Sequence, residues 1–333
     1  MYRLALLGLL LFGAWSARAV VVTPDTTLGS AIIPGNNDFF GGFSLSGVVM
    51  VTNSSVGCSG ALIGDYTVLT AAHCVESAPG AGLYANPQVS FLPPANTTGN
   101  AYDGSALGVS SIAVDPSWNG SSSLGTDLAV IHLSQAAPNY ATRYSLYTGM
   151  VMPATSPVIL AGFGQTGTGA TGATGGFGYL RAGTNEYAVT GAAFGWSSNL
   201  LIGQFYLANN TQFYDANHNL IDTNALGVAD PYSSGTEVMI AHGDSGGPTF
   251  YNGQIIGVHD IGICMSTTPS SPCLVGPSIS PSNNSYFGQM WGDVSVAGNA
   301  AFLDQQLAPE PASAMLVMLG LSLAAWRRWR SVA

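Results

Sequence analysis

The sequence predicts an all-β fold. Its apolar runs are short, they are rich in β-branched residues, and Gly, Pro, Asn or Ser punctuates them. Gly alone supplies 43 of the 333 residues, and together with abundant Ser and Thr it favours strands and turns over packed helices. In chain order the strand candidates are 48–52 (Val-Val-Met-Val-Thr), 59–63 (Ser-Gly-Ala-Leu-Ile), 67–70 (Thr-Val-Leu-Thr) and 89–92 (Val-Ser-Phe-Leu). They continue with 111–114 (Ser-Ile-Ala-Val), 128–133 (Leu-Ala-Val-Ile-His-Leu), 158–163 (Val-Ile-Leu-Ala-Gly-Phe), 249–251 (Thr-Phe-Tyr) and 254–259 (Gln-Ile-Ile-Gly-Val-His). Each is long enough to cross a small sheet, and the spacing suits antiparallel barrels. Two long stretches interrupt the pattern. Residues 164–183 hold eight glycines in a Thr-Gly-Ala repeat and read as a mobile surface loop. Residues 199–235 read as a second, polar insertion; such loops either border a cleft or are tolerated on the surface.

The length suffices for one large domain or two small ones. Charge is scarce and lopsided. There is no lysine, and of seven arginines only Arg143 and Arg181 lie between residues 20 and 308, against sixteen Asp and Glu, a formal charge near −14. Nucleic-acid binding draws its affinity from Lys and Arg on phosphates, so this balance argues against it. The histidines show no close ligand spacing, so neither a metal nor a cofactor is expected.

Both ends resemble processing signals. Arg3, the apolar run 4–15 and Ala17-Arg18-Ala19 make residues 1–19 a secretory signal peptide cut before Val20. The apolar run is shorter than the ~20 residues a spanning helix needs. Near the other end, Pro309-Glu310-Pro311 precedes an apolar stretch, 312–326, and then Arg327-Arg328-Trp329-Arg330. Residues 307–333 thus resemble the PEP-CTERM sorting signal of Gram-negative bacteria, which implies retention at the inner membrane until an exosortase-type enzyme processes the tail. The physics is compatible: arginines behind an apolar helix stay cytoplasmic and Trp326 suits the interface. The fifteen residues 312–326 cover only ~22 Å, short for a hydrocarbon core. The expected location is exported, transiently anchored in the inner membrane, then in the cell envelope or outside the cell.

Two strings carry chemistry. Residues 243–248 read Gly-Asp-Ser-Gly-Gly-Pro and residues 69–74 read Leu-Thr-Ala-Ala-His-Cys. A serine hydroxyl is a weak nucleophile, so acyl transfer needs an imidazole to accept its proton and a third group to fix the ring tautomer. Ser245 and His73 supply the first two. Asp127 heads the apolar run 127–133, where a carboxylate can meet an imidazole edge away from bulk water. With Gly57-Cys58-Ser59-Gly60-Ala61-Leu62 ahead of the histidine, and in the order His, Asp, Ser, these motifs resemble the chymotrypsin/trypsin family of serine endopeptidases. The resemblance spans residues 48–262.

It implies two antiparallel six-stranded β-barrels over residues 20–306, meeting near 138–157, with the site between them. It implies His73, Asp127 and Ser245 as the catalytic triad acting on a protein or peptide substrate, and the amides of Gly243 and Ser245 as the oxyanion hole. Four cysteines allow three pairings; the family pairs Cys58 with Cys74, which leaves Cys264 with Cys273. Cys264 lacks its usual partner, because Ala241 stands two residues before Gly243. Matching the residues ahead of the serine puts Met239 at the floor of the primary pocket with Ile240 beside it. No carboxylate is there to receive Lys or Arg, and an unpaired cation in an apolar pocket is disfavoured. His259 falls where glutamate-specific relatives carry a pocket histidine, and His242, just before Gly243, could add a second imidazole, with Gly262 a further substrate-binding candidate; a satisfied histidine at a strand end and an apolar preference are the alternatives. Where the family carries Ser-Trp-Gly, this chain has Asp260-Ile261-Gly262, which brings a second acid toward Asp127. For activation the resemblance implies a new α-ammonium paired with Asp244. With no Lys or Arg between residues 19 and 58, that terminus is Val20 freed by signal peptidase, or else Ile32 or Ile33 after a non-tryptic cut. The rival in another class is a noncatalytic surface-binding or matrix protein that retains a protease scaffold.

Overall fold

The computed structural model describes residues 20–22, 38–39, 43–96, 98, 100–149, 156–169, 171–206, 213–214, 220–221, 226, 237–264, 278–279 and 285–307. Six strands close into a barrel: Val48–Thr52, Gly57–Gly64, Thr67–Thr70, Gln88–Phe91, Ser105–Val114 and Ala129–Leu133. All of its pairings are antiparallel. The apolar runs are continuous rather than alternating because both faces of several strands are covered. Val49, Val51, Val68 and Ile131 fill the barrel, whereas Val48, Met50, Leu69 and Val130 point the other way, into a core shared with Phe163, Phe250 and Val258 of the second half. A period of two thus sends alternate side chains of one strand into two cores.

The second half is an open eight-stranded sheet. Its path runs Arg181–Asn185, Val158–Gly162, Pro248–Tyr251, Gln254–Cys264, Met290–Ser295, Leu200–Gln204 and Val189–Thr190, with Ser278–Ile279 added to Gln254–Cys264. The expected pair of closed six-stranded barrels is therefore met by one closed barrel and one sheet whose described pairings leave two ends. Within Gln254–Cys264 the register against Met290–Ser295 shifts between His259 and Ile261: His259 faces Asp293 and Ile261 faces Gly292. Asp260 is the extra residue of this bulge, a local geometry that re-aims a side chain.

Two expectations change. Residues 164–183 are not a bare loop: Thr166–Thr168 and Gly172–Ala173 pair with each other, and Arg181–Asn185 edges the large sheet. The 199–235 stretch opens with Leu200–Gln204, every residue of which is buried. A smaller sheet is completed by Val20–Val22, parallel to Thr166–Thr168 and antiparallel to Val238–Met239.

Cys58 and Cys74 form the expected disulfide. The loop it closes contributes about 3 kcal/mol by restricting the unfolded chain. Cys264 ends its strand, but Cys273 lies outside the described residues, and with it the expected second pairing. A short helix, Ala300–Leu307, buries Phe302 and Leu303 against the shared core. Among the described residues no helix is long and apolar enough to cross a membrane. Residues 1–19, 32–33 and 308–333, which carry the predicted signal peptide, the alternative termini and most of the sorting segment, lie outside the described set.

Candidate active site

His73 and Asp127 meet because their strands are neighbours. Thr67–Thr70 pairs with Ala129–Leu133 so that Thr70 faces Ala129. The chain leaves the first strand into the short turn Ala72–Cys74 and enters the second directly after Asp127 and Leu128. Asp127 then receives the His73 backbone N–H on Oδ1 at 2.9 Å and the ring Nδ1 on Oδ2 at 2.7 Å. This double contact fixes ring and carboxylate together. Asp127 is buried at 2 % exposure, while the His73 side chain keeps 35 %. Burial works to lower the basicity of the ring, but the charge and hydrogen bond of Asp127 prevail and hold it above its ordinary 6.5. Burial likewise opposes ionisation of Asp127, yet His73 holds that carboxyl below its usual range.

The Gly243–Gly247 turn docks on the same barrel. Ser59 donates its backbone N–H to the Ser245 carbonyl at 2.8 Å and its hydroxyl to the Gly243 carbonyl at 2.8 Å. Behind the turn, Gly246 N–H reaches the His259 carbonyl at 2.7 Å. A side chain at 246 would collide with Thr70 Oγ1 and the Ala71 amide, so glycine permits the turn to press against the strand end that leads to His73. The Cys74 sulfur stands 3.5 Å from the Ser245 carbonyl oxygen. The Ser245 hydroxyl makes no hydrogen bond to the His73 ring; in substrate-free sites this contact is often long and tightens with substrate. Gly243 has φ +95°, a conformation that favours glycine. The N–H groups of Gly243 and Ser245 have no acceptor among the described residues. They are two donors free to receive a developing negative charge.

Asp244 points inward. Its carboxylate accepts the N–H of Gly164 and the N–H of Ala241, both at 2.8 Å, and burial pushes its pKa up to about 6. Val20 faces Thr166 in the parallel pairing and Val21 faces Met239 in the antiparallel one. The start of that strand is thus aimed along two segments in which Gly164 and Ala241, two residues beyond Thr166 and Met239, are the donors to Asp244.

The predicted specificity residues are less open than expected. Met239 has no exposure and belongs to the core of the large sheet with Ile240. His259 also has none; its Nδ1 is 2.9 Å from Asp293 Oδ1, and its Nε2 is buried without a hydrogen-bond partner. His242 is exposed and Gly262 half-buried. Two clefts open at the site, one beside the serine turn and one beside the His73–Asp127 pair. His242, Gly243 and Phe177 line one of about 670 Å³; His73, Trp118, Asp260 and Ile261 line the other, of about 410 Å³.

Asp260 was legible only as a departure from the family's Ser-Trp-Gly. It is 6 % exposed, accepts the Ser122 hydroxyl on Oδ1 at 2.9 Å, and has a carboxylate oxygen within 4.8 Å of one of Asp127. Two groups of described side chains have donor atoms within 4.8 Å of one another, as a metal would require: Cys58, His73 and Cys74, and His73, Asp127 and Asp260. The two sulfurs are bonded to each other, and the second group is engaged in its own hydrogen bonds.

A trypsin family model matches residues 32–274, a span that contains His73, Asp127 and Ser245. The chain belongs to the trypsin family. Chymotrypsin-like elastase family member 1 of Bos taurus is 33 % identical over 118 residues, 33 % of this chain and 41 % of that protein; the chain thus matches less than half the length of this relative. Among solved structures, the mouse-brain serine protease neuropsin superposes with a TM-score of 0.52 at 16 % identity, covering 83 % of this chain and 97 % of the other. A Glu endopeptidase in complex with MPD superposes with a TM-score of 0.53 at 16 % identity, covering 87 % and 100 %. At that identity the two superpositions establish the fold alone.

The balance at His73 has a direct check. In Asp127→Asn the charge that raises the ring's basicity is gone while its burial remains, so the His73 pKa measured by NMR titration falls from its value above 6.5. An unchanged or higher value would show that Asp127 does not control the ring.

Proposed function

We infer that this trypsin-family chain is an exported serine endopeptidase. Ser245 attacks a peptide carbonyl, His73 accepts the hydroxyl proton through Nε2 and later returns it to the leaving amine, and Asp127 holds the ring and stabilises the imidazolium. The Gly243 and Ser245 amides receive the oxyanion, and water then hydrolyses the acyl-enzyme. The observation that carries this reading is the docking of the serine turn beside an oriented His73–Asp127 pair, with both amide donors unengaged. Loss of catalysis usually accompanies loss of one of these residues; all three stand in the sequence, which disfavours a noncatalytic scaffold. The second sheet is read as the family's other barrel, and the clefts beside the serine turn and beside the His73–Asp127 pair as the path of an extended peptide.

Trypsin-like specificity is not part of the proposal, because Met239 offers a substrate cation no counter-charge. Signal-peptide removal before Val20, retention at the inner membrane through a PEP-CTERM tail and processing by an exosortase-type enzyme complete the reading. Ser245→Ala should lower peptide hydrolysis on the order of 10⁴-fold or more, measured on casein with the circular dichroism spectrum unchanged. Appreciable peptidase activity in that variant would refute the assignment.

Activation is read from the strand at Val20. Freed there, its α-ammonium would reach the Asp244 carboxylate between the amides of Gly164 and Ala241; a start at Ile32 or Ile33 would remove this strand from the sheet. The energetic signature follows from linkage. A carboxyl raised from 3.8 to about 6 stabilises the fold fully below pH ~4 and loses that contribution as pH rises through ~6, about 3 kcal/mol in all. An ammonium partner removes the loss. Denaturant unfolding at pH 4.5 and 7.5 should therefore show a drop about 2 kcal/mol larger for the chain that retains residues 1–19 than for the chain beginning at Val20. Equal pH dependence in the two would contradict the pairing.

A further inference from the structure

Behind the His73–Asp127 pair stands a second carboxyl group that the reaction scheme leaves unused. The bulge between His259 and Ile261 makes Asp260 the unpaired residue of its strand, and its side chain meets Ser122 and Asp127 of the closed-barrel half. There it shares a cluster with His73 and Asp127 in which donor and acceptor atoms lie within 4.8 Å of one another. Its two oxygens are treated differently. Oδ1 accepts the Ser122 hydroxyl at 2.9 Å, whereas Oδ2 is buried and no N–H or neutral O–H is directed at it. What faces Asp260 is the Asp127 carboxylate, with His73 beyond it; the Asp293 carboxylate on Met290–Ser295 adds a further repulsive charge.

Two facing carboxylates in a dry site cannot both be ionised, and one proton between them turns a repulsion into a hydrogen bond. The donors decide which acid holds it. Asp127 already receives the backbone N–H and the ring Nδ1 of His73, contacts that stabilise its anion. Among the described residues, Asp260 receives only the Ser122 hydroxyl. The proton therefore resides on Asp260.

We propose that Asp260 is a positioning residue: as a neutral carboxylic acid it donates a hydrogen bond from Oδ2 to the Asp127 carboxylate, and so holds that carboxylate in register with the His73 ring. The role rests on the triad reading only in its effect on rate; the protonation state of Asp260 does not. Burial and the Asp127 charge both push the Asp260 carboxyl well above its ordinary range, which agrees with the geometry. The bond leaves the negative charge on Asp127, next to the imidazole, and withholds a second charge from it.

The test has one arm that needs no turnover. In the full chain carrying Ser245→Ala, the His73 ring is titrated by NMR with Asp260 intact and with Asp260→Asn, which keeps shape and an N–H donor but cannot ionise. A neutral Asp260 predicts that the His73 pKa moves by less than about 0.5; an ionised one predicts a fall larger than that, since an anion beside the imidazolium is removed, and this would overturn the proposal. In the chain with Ser245 intact, Asp260→Ala should lower kcat about tenfold with KM little changed, and Asp260→Asn should restore most of it. Equal kcat in Asp260→Ala and the parent would also overturn the proposal. If Ser245→Ala retained activity, the triad reading would fail while the NMR arm still reported the charge on Asp260.

Discussion

One serine hydroxyl ties the two halves together at the point where chemistry is proposed. Ser59 lies on the Gly57–Gly64 strand of the closed barrel, donates its hydroxyl to the Gly243 carbonyl, and accepts the Phe163 N–H from the second half at 2.9 Å. Its own backbone N–H holds the Ser245 carbonyl. Two segments distant in sequence are thereby fixed to one residue with no exposure. Because Thr70 also gives its hydroxyl to the Ser59 carbonyl at 2.8 Å, the strand that leads to His73 belongs to the same network. Buried hydrogen bonds of this kind contribute little net stability each, but are costly to leave unmade, which favours one arrangement of the serine turn over its alternatives.

A chain without lysine must accommodate buried negative charge by other means. Asp127, Asp244, Asp260 and Asp293 are all buried, and each has its own set of donors. Asp127 has His73; Asp244 has two amides and, in our reading, an ammonium group. Asp293 meets the His259 ring and accepts the hydroxyls of Tyr187 and Thr249 on Oδ2. Tyr187 is held neutral, since burial and the Asp293 charge raise its pKa well above 10. His259 is consequently committed to an internal network and buried. As the structure stands, it orients Asp293 and the bulge at Asp260 rather than presenting a ring to the clefts.

Much of this was visible in the residues. The strands 48–52 and 67–70 appear at their predicted limits because β-branched runs ended by turn residues leave few other options. The His73–Asp127 meeting followed from two motifs, and the disulfide from the family pattern. Other features carried weaker local signals. Arg181–Asn185 reads Arg-Ala-Gly-Thr-Asn and became a strand only because an edge of the large sheet was available, a case of tertiary context overriding propensity. Leu200–Gln204 was hidden at the head of a polar stretch, and Met290–Ser295 lacked the alternation that marks a half-buried strand because nearly all of it is covered. The Asp260 bulge could not be read at all: a register shift is a property of two strands, and the sequence of one shows only an unexpected acid.

The central claim is that this fold activates one hydroxyl, that of Ser245, through His73. Labelling the purified mature chain with a fluorophosphonate probe, followed by peptide mass mapping, tests it most directly. The account predicts a single adduct on Ser245 that is lost when His73 is replaced by alanine. An unlabelled Ser245 in folded protein, or labelling indifferent to His73, would contradict it.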